Sequence, residues 1–203
     1  MNMQREPNPW LPYLVTDYIK QLKPKRVFEW GSGESTLFFL KVIATTKLVS
    51  IEHDFDWYVK VATALEKEDG WDEDYQLIPF EQGSIGPDKA NPSHYKSGSS
   101  NLGDVNFKKY CSTIDDYGKF DLILIDGMAR ASCLAHAYSH VTDGGCIVLD
   151  NTGDRPYYLE QTAHLFGDYE KGWETVKFMG YGPILAYKWE TTIFINKRRS
   201  SYE

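Results

Sequence analysis

Residues 29 to 36, E-W-G-S-G-E-S-T, connect two apolar runs and place two glycines one residue apart. A glycine turn between a strand and a helix is a common place for a nucleotide-like ligand, because the backbone can approach the ligand closely. No lysine follows Gly33 at the spacing of a phosphate-binding loop, and the G-x-S-x-G turn of a serine nucleophile does not occur. The dinucleotide pattern G-x-G-x-x-G requires a third glycine where this chain has Thr36. The turn therefore indicates a ligand without defining it.

Two carboxylates flank this turn. Glu29 precedes the glycines, and Glu52 closes the next strand-like run. A carboxylate at the tip of the second strand can accept both hydroxyls of a ribose. Glu29 can pair with an ammonium group, whereas it would repel a pyrophosphate. This combination favours S-adenosylmethionine (SAM), which carries a ribose and an amino acid but no phosphate; the alternative is that Glu52 is a solvated strand-end residue.

Strand-like and helical patterns alternate along the chain and would position these residues. The run at 120–126 is nearly all apolar, as expected of a central parallel strand that is buried on both faces. The last two strand-like runs have no helical pattern between them, so they must pair antiparallel. Strands are predicted at 26–30, 47–53, 75–80, 120–126, 145–151, 175–180 and 191–197, and helices at 14–22, 34–44, 57–67, 129–141 and about 157–166.

These elements predict an α/β fold: a Rossmann-like, doubly wound, mostly parallel sheet of seven strands with a C-terminal antiparallel hairpin. Because no repeat or linker divides the chain, we expect one domain over 1–203, with an N-terminal helical segment at 1–24. Residues 81–105 are rich in Gly, Ser, Pro and Asn and have no periodicity. Such a long loop indicates a lid, a binding loop or disorder.

The order and spacing of these motifs resemble the class I SAM-dependent methyltransferases over residues 25–197. E-x-G-x-G at 29–33 is similar to their first motif and S-I-E-H-D at 50–54 to their second, while FDLILIDG and GGCIVLDN are similar to their fourth and fifth strands. The closing hairpin distinguishes that family from the dinucleotide fold. The candidate cofactor-binding residues are Glu29, Gly31 and Gly33 at the methionine part, Ser35 capping or lining the turn, Glu52 at the ribose and His53 at the adenine edge.

Polar side chains also end the fourth and fifth strands: Asp126 follows one, and Asp150 with Asn151 follows the other. The carboxyl ends of neighbouring strands face one crevice, and two aspartates with an amide oxygen suit Mg²⁺. This set is similar to that of the catechol- and macrocin-type O-methyltransferases, in which a divalent cation holds the acceptor hydroxyl. Asp126 and Asp150 are therefore candidate catalytic residues and, with Asn151, candidate metal ligands. Metal-free relatives also carry an acidic residue after the fourth strand.

One position departs from the catechol-type pattern. Those enzymes place a lysine base three residues after the first metal aspartate, where this chain has Ala129. The next residue, Arg130, stays protonated, so it can orient an anion but cannot act as a base. We therefore do not expect a catechol acceptor, and the proton acceptor is either Asp126 or His94.

Composition limits the partners. The net charge is −7 and the pI is about 5.3, so we expect no nucleic-acid partner. No apolar run reaches the length of a membrane span, and three cysteines without a pairing pattern suggest reduced thiols and a cytoplasmic location. The expected function is a SAM-dependent methyltransferase that acts at oxygen on a small molecule, with or without Mg²⁺. An NAD(P)-dependent Rossmann oxidoreductase and a non-catalytic SAM-binding protein are the alternatives.

Overall fold

The computed structural model describes residues 6–68, 74–80, 95–97, 102, 105–166 and 172–197. The strands are β1 (Arg26–Trp30), β2 (Lys47–Glu52), β3 (Tyr75–Pro79), β4 (Phe120–Ile125), β5 (Val141–Leu149), β6 (Trp173–Gly180) and β7 (Trp189–Asn196). The α-helices are α1 (Tyr13–Leu22), α2 (Glu34–Phe38), α3 (Phe55–Leu65), α4 (Lys108–Ser112), α5 (Arg130–Ala137) and α6 (Tyr157–Phe166).

The seven strands form one sheet in the order β3-β2-β1-β4-β5-β7-β6. Strands β1 to β5 are parallel, whereas β7 runs antiparallel to both β5 and β6. The predicted fold class is therefore confirmed, including the hairpin at the end of the chain. The parallel strands place the turns that follow β1, β2, β4 and β5 along the same edge of the sheet.

The central strands are buried on both faces of the sheet, and the side chains of each strand alternate between the two faces. In β4, Ile123 and Ile125 pack into one apolar cluster, whereas Leu122 and Leu124 pack into the other. Residues of α4, α5 and α6 complete the first cluster, and residues of α1 and α2 complete the second. This arrangement explains why β4 reads as a continuous apolar run.

Several boundaries differ from the predicted ones for local reasons. Strand β5 begins at Val141, before a register shift: Val141 pairs with Phe120 and Cys146 pairs with Leu122. The helix predicted at 34–44 is α-helical only to Phe38 and continues as a π-helical turn over Phe39–Ile43. Helix α3 begins at Phe55 because the Asp54 carboxylate accepts a hydrogen bond from Trp57 N at 2.9 Å.

Two short elements between β3 and β4 were not predicted. Helix α4 and the 3₁₀ turn after it (Thr113–Asp116) are too short to show a helical period, yet they bury Tyr110, Cys111 and Ile114 beneath the sheet. Most of the predicted loop at 81–105, including His94, lies outside the described residues. Within the described ranges, no helix is both long and apolar enough to cross a membrane.

Candidate active site

The glycine turn lies between β1 and α2 and contacts the turn after β4. Gly31 has a φ of +95°, and its N–H donates to Ile51 O at 2.9 Å. A Cβ at this position would lie 2.8 Å from the backbone nitrogen of Gly127. The glycine is therefore required both by its positive φ and by the close approach of a second backbone segment. Gly33 N donates to Thr36 Oγ1 at 2.9 Å, so Thr36 caps α2 where a dinucleotide site would have its third glycine.

Glu29 lies beneath this turn and does not line the cavity described below. Its carboxylate is fully buried and accepts hydrogen bonds from the hydroxyls of Ser35, Thr36 (2.7 Å) and Ser50 (2.8 Å). Burial raises the pKa of Glu29 to about 7, although the three hydroxyls oppose the rise. In this arrangement Glu29 connects the turn to α2 and β2, and the predicted direct contact with an ammonium group does not fit its position.

Replacement of Glu29 by Gln should change how stability depends on pH. The pKa of about 7 in the folded protein exceeds the ordinary value of 4.5. Between these values the folded protein keeps a proton that the unfolded chain has released, so the stability from this group falls as the pH rises through that window and is constant above it. Since Gln cannot titrate, the wild-type unfolding free energy should fall by about 3 kcal/mol relative to Glu29→Gln across the window.

Urea unfolding of both proteins at several pH values within and above this window measures the difference. Glu66→Gln, an exposed position at the end of α3, controls for the loss of one carboxylate. Parallel stability curves for the wild type and Glu29→Gln would show that Glu29 is ionised throughout.

Glu52 lies at the end of β2, where it is buried and already engaged. Its Oε2 accepts from the backbone and hydroxyl of Ser32, at 2.9 and 3.1 Å, and its Oε1 accepts from the N–H groups of His53 and Asp54, at 2.8 and 2.9 Å. His53 Nδ1 lies 2.8 Å from Oε1, but this contact does not have hydrogen-bond geometry. Glu52 thus orients both the glycine turn and the start of α3, and it still lines the cavity.

Trp57 is a site residue that the sequence did not reveal. Its indole Nε1 donates to Ser32 O at 2.8 Å, and its ring pairs with that of Trp10 at a centroid distance of 6.1 Å. The signal was local: Trp57 lies in the first turn of α3, directly after a strand end, and the first turns of such helices face the carboxyl edge of the sheet.

The strand-end residues Asp126, Asp150 and Asn151 are brought together as predicted, but they surround Arg130. The guanidinium donates to Gly127 O from Nε at 2.9 Å, to Asp150 O and Asn151 Oδ1 from Nη1 at 2.8 and 3.0 Å, and to Asp126 O from Nη2 at 2.9 Å. Nη2 also lies 3.0 Å from Asp126 Oδ1, and Nη1 lies 4.0 Å from Asp150 Oδ2. Burial alone would lower the pKa of Arg130, but the charges of Asp126 and Asp150 raise it.

The two aspartates differ in exposure. The side chain of Asp126 is 25% exposed and lines the cavity, whereas that of Asp150 is 3% exposed and does not. Asp150 Oδ1 accepts from Trp189 Nε1 at 3.0 Å and from the Thr191 hydroxyl. Burial raises the pKa of Asp126 to about 7 and also raises that of Asp150, while Arg130 opposes both shifts. Asp126 can therefore contact a ligand. Asp150 does not line the cavity, so its carboxylate can contact Arg130 but not a ligand.

The predicted Mg²⁺ site does not fit this arrangement. A cation between Asp126, Asp150 and Asn151 would meet the guanidinium of Arg130, which already occupies that space and has the same sign of charge. In the part of the chain that the structure describes, no cluster of three or more His, Cys, Asp or Glu side chains could hold a metal.

The cavity at this edge of the sheet has a volume of about 280 Å³. Carboxylates dominate its ionisable groups, and among the described residues that line it Arg130 is the one Lys or Arg side chain. Of the predicted cofactor residues, Gly31, Gly33, Ser35, Glu52 and His53 line it and Glu29 does not. The other lining residues are Trp10, Ser32, Glu34, Asp54, Trp57, Asp126, Gly127, Met128 and Arg130.

Comparison with known proteins gives structural matches alone, since no family model and no curated protein sequence matches the chain. An O-methyltransferase from Bacillus cereus in complex with SAH is 13% identical, with a TM-score of 0.61 over 91% of this chain and 79% of that one. The O-methyltransferase TomG from Streptomyces achromogenes, in complex with SAM, is 14% identical, with a TM-score of 0.62 over 91% and 78%. An rRNA methylase from Streptococcus thermophilus is 9% identical, with a TM-score of 0.56 over 98% and 100%.

At sequence identities this low, the matches show the fold of the chain and do not show which molecule it acts on. The strand order and the antiparallel position of β7 are those of the methyltransferase Rossmann-like topology, and two of these neighbours were solved with SAM or SAH bound. The chain therefore has the fold of the class I SAM-dependent methyltransferases.

Proposed function

We propose that the protein binds SAM in this cavity and transfers its methyl group to an oxygen of a small-molecule acceptor. The charge of the cavity carries the proposal. Its lining includes four carboxylates, Glu34, Glu52, Asp54 and Asp126, while the N–H groups of Arg130 are directed at protein oxygens. Such a cavity attracts the sulfonium and ammonium charges of SAM and repels the phosphates of NAD(P).

The proposed orientation follows from the positions of the lining residues. The methionine part lies along Gly31, Gly33 and Ser35, which line the cavity at the glycine turn. The ribose lies on Glu52, whose Oε2 can exchange the hydroxyl of Ser32 for a ribose hydroxyl because a serine hydroxyl rotates freely. The adenine lies against His53, whose ring packs on Phe107.

Asp126 is the residue that we propose accepts the acceptor's proton. Its Oδ1 faces Arg130, and no residue in the described ranges donates to its Oδ2. Burial raises the pKa of this carboxyl above its ordinary value, in the direction that suits a general base near neutral pH. The sulfonium is already an activated methyl donor, so the remaining task of the site is to align the acceptor oxygen with the methyl group and to exclude water.

Ligand-dependent thermal unfolding tests the cofactor. SAM and SAH are compared with NAD⁺ and NADP⁺, each at a concentration far above its expected Kd. A ligand at about 100 times its Kd adds roughly 2.7 kcal/mol, which raises the Tm by roughly 5–10 °C at this chain length. We expect the rise with SAM and SAH alone. A rise with a nicotinamide dinucleotide in their place would contradict the proposal.

Glu52→Gln should weaken SAM binding by about tenfold or more, equivalent to about 1.4 kcal/mol. The amide has one acceptor oxygen fewer for the ribose. Its N–H₂ group would also point at backbone N–H groups of Ser32, His53 or Asp54, which donate to the carboxylate in the wild type. Isothermal titration calorimetry measures the affinity, with Glu66→Gln as the exposed control. Equal affinities for the wild type and Glu52→Gln would remove Glu52 from the ribose site.

A further inference from the structure

We propose that Arg130 is the resident cation of the strand-end oxygens, so that the site works without a divalent metal. Six oxygens face the guanidinium: the carbonyls of Asp126, Gly127 and Asp150, the Asn151 amide oxygen, and one carboxylate oxygen each from Asp126 and Asp150. The proposal concerns the cavity to which the proposed function assigns methyl transfer, but the cation measurements below do not depend on that function.

The shape of the oxygen set matches a guanidinium better than a point charge. The hydrogen bonds of 2.8 to 3.0 Å are donated by three different nitrogens, Nε, Nη1 and Nη2. They are therefore distributed around the planar group and do not converge on one point. Mg²⁺ would need its oxygens at about 2.0–2.1 Å around a single point in octahedral geometry. A guanidinium instead presents five N–H groups in a fixed, flat fork.

The location within α5 adds a second argument. Arg130 is the first residue of this helix, after Ala129 in the left-handed region (φ 47°). The N-terminus of a helix disfavours a cation, so helix electrostatics do not hold Arg130 there. Its place must come from the surrounding oxygens, which include the partly exposed carboxylate of Asp126 and the buried carboxylate of Asp150.

This assignment restricts the acceptor. A divalent cation can hold two adjacent acceptor oxygens at once, whereas the N–H groups of Arg130 are directed at protein oxygens. The contact that Arg130 and its surrounding oxygens offer to an acceptor is then the partly exposed carboxylate of Asp126. We infer that the acceptor needs no chelating pair of oxygens.

Cation replacement tests the proposal in the absence of any cofactor. Arg130→Ala should have a lower Tm than the wild type, and guanidinium chloride at low millimolar concentration should raise it by roughly 4 °C. Equal concentrations of NaCl or MgCl₂ should not raise it. The wild type and Arg155→Ala, which loses an exposed arginine, should show no rise with guanidinium. If Arg130→Ala does not fold alone, guanidinium-dependent recovery of its circular dichroism is the expected result.

Binding of a divalent metal ion at this site is the result that would contradict the proposal. Mn²⁺ titration followed by electron paramagnetic resonance should detect no stoichiometric site in the wild-type protein or in Arg130→Lys, which keeps a cation at this place. One Mn²⁺ bound per wild-type chain, and lost in Asp126→Asn, would overturn the proposal. A folded Arg130→Ala whose Tm does not respond to guanidinium would overturn it as well. Neither result would bear on the SAM-binding measurement, so the two proposals can fail separately.

Discussion

Asp150→Ala should lower the free energy of unfolding by about 3–5 kcal/mol, the effect expected when one partner is removed from a buried ion pair. The truncation leaves Trp189 Nε1 and the Thr191 hydroxyl without their acceptor, and it leaves Arg130 with one carboxylate fewer. All of these groups are buried, so water cannot replace the lost oxygen.

Urea unfolding measures this loss, with Asp154→Ala as a matched control at an exposed position four residues further along the chain. The unfolding free energy of Asp150→Asn should lie between those of Asp150→Ala and Asp154→Ala, because its amide oxygen can still accept from Trp189 while the charge is lost. A change below about 1 kcal/mol in Asp150→Ala would mean that the carboxylate does not hold Arg130 in place.

Gly127→Ala should be destabilised by about 3 kcal/mol, the upper end of the usual cost of overpacking a core. The added Cβ would lie 2.0 Å from the hydroxyl of Tyr110, and 3.1 Å from Gly31 N. The Tyr110 ring is fully buried among aromatic neighbours, so it cannot move away without disturbing the core. In the same variant the glycine turn should shift, and SAM affinity should fall with it.

A double-mutant cycle isolates the contact. The Tyr110 hydroxyl is buried and makes no hydrogen bond of good geometry within the described ranges, so Tyr110→Phe alone should cost less than Gly127→Ala. Combined with Gly127→Ala it should recover much of the lost stability, because the closest atom is gone. Gly118→Ala, whose Cβ would have 3.5 Å of clearance, is the matched glycine control. Additive effects of the two changes would show that backbone strain, not the hydroxyl, causes the loss.

The sheet could be predicted from sequence because its strands are short apolar runs separated by turns, and because the absence of a helix before β7 leaves antiparallel pairing as the solution. The same reasoning brought Asp126, Asp150 and Asn151 to one crevice. It missed the role of Arg130, because the sequence does not show in which direction this side chain folds. The four-residue separation of Asp126 and Arg130 was the available signal.

Glu29 shows a second limit of sequence reasoning. A carboxylate beside two glycines suggested a ligand contact, but side chains alternate along a strand. Phe28 and Trp30 pack into one core cluster, whereas Val27 packs into the other, together with residues of α2. Glu29 must therefore face α2, where the hydroxyls of Ser35 and Thr36 surround it. The period-two pattern of β1 contained this information.

The insertion of β7 between β5 and β6 has a consequence for biosynthesis. β6 leaves the ribosome before β7, yet in the described part of the sheet its one neighbour is β7, and β7 also covers the open edge of β5. A nascent chain that ends before Trp189 would therefore present a bare edge on β5, whose inner residues Cys146 to Leu149 are wholly apolar, and a strand β6 without a partner. Such edges recruit other chains. Sheet completion thus has to wait for residues up to Asn196, and premature release before that point should yield aggregates.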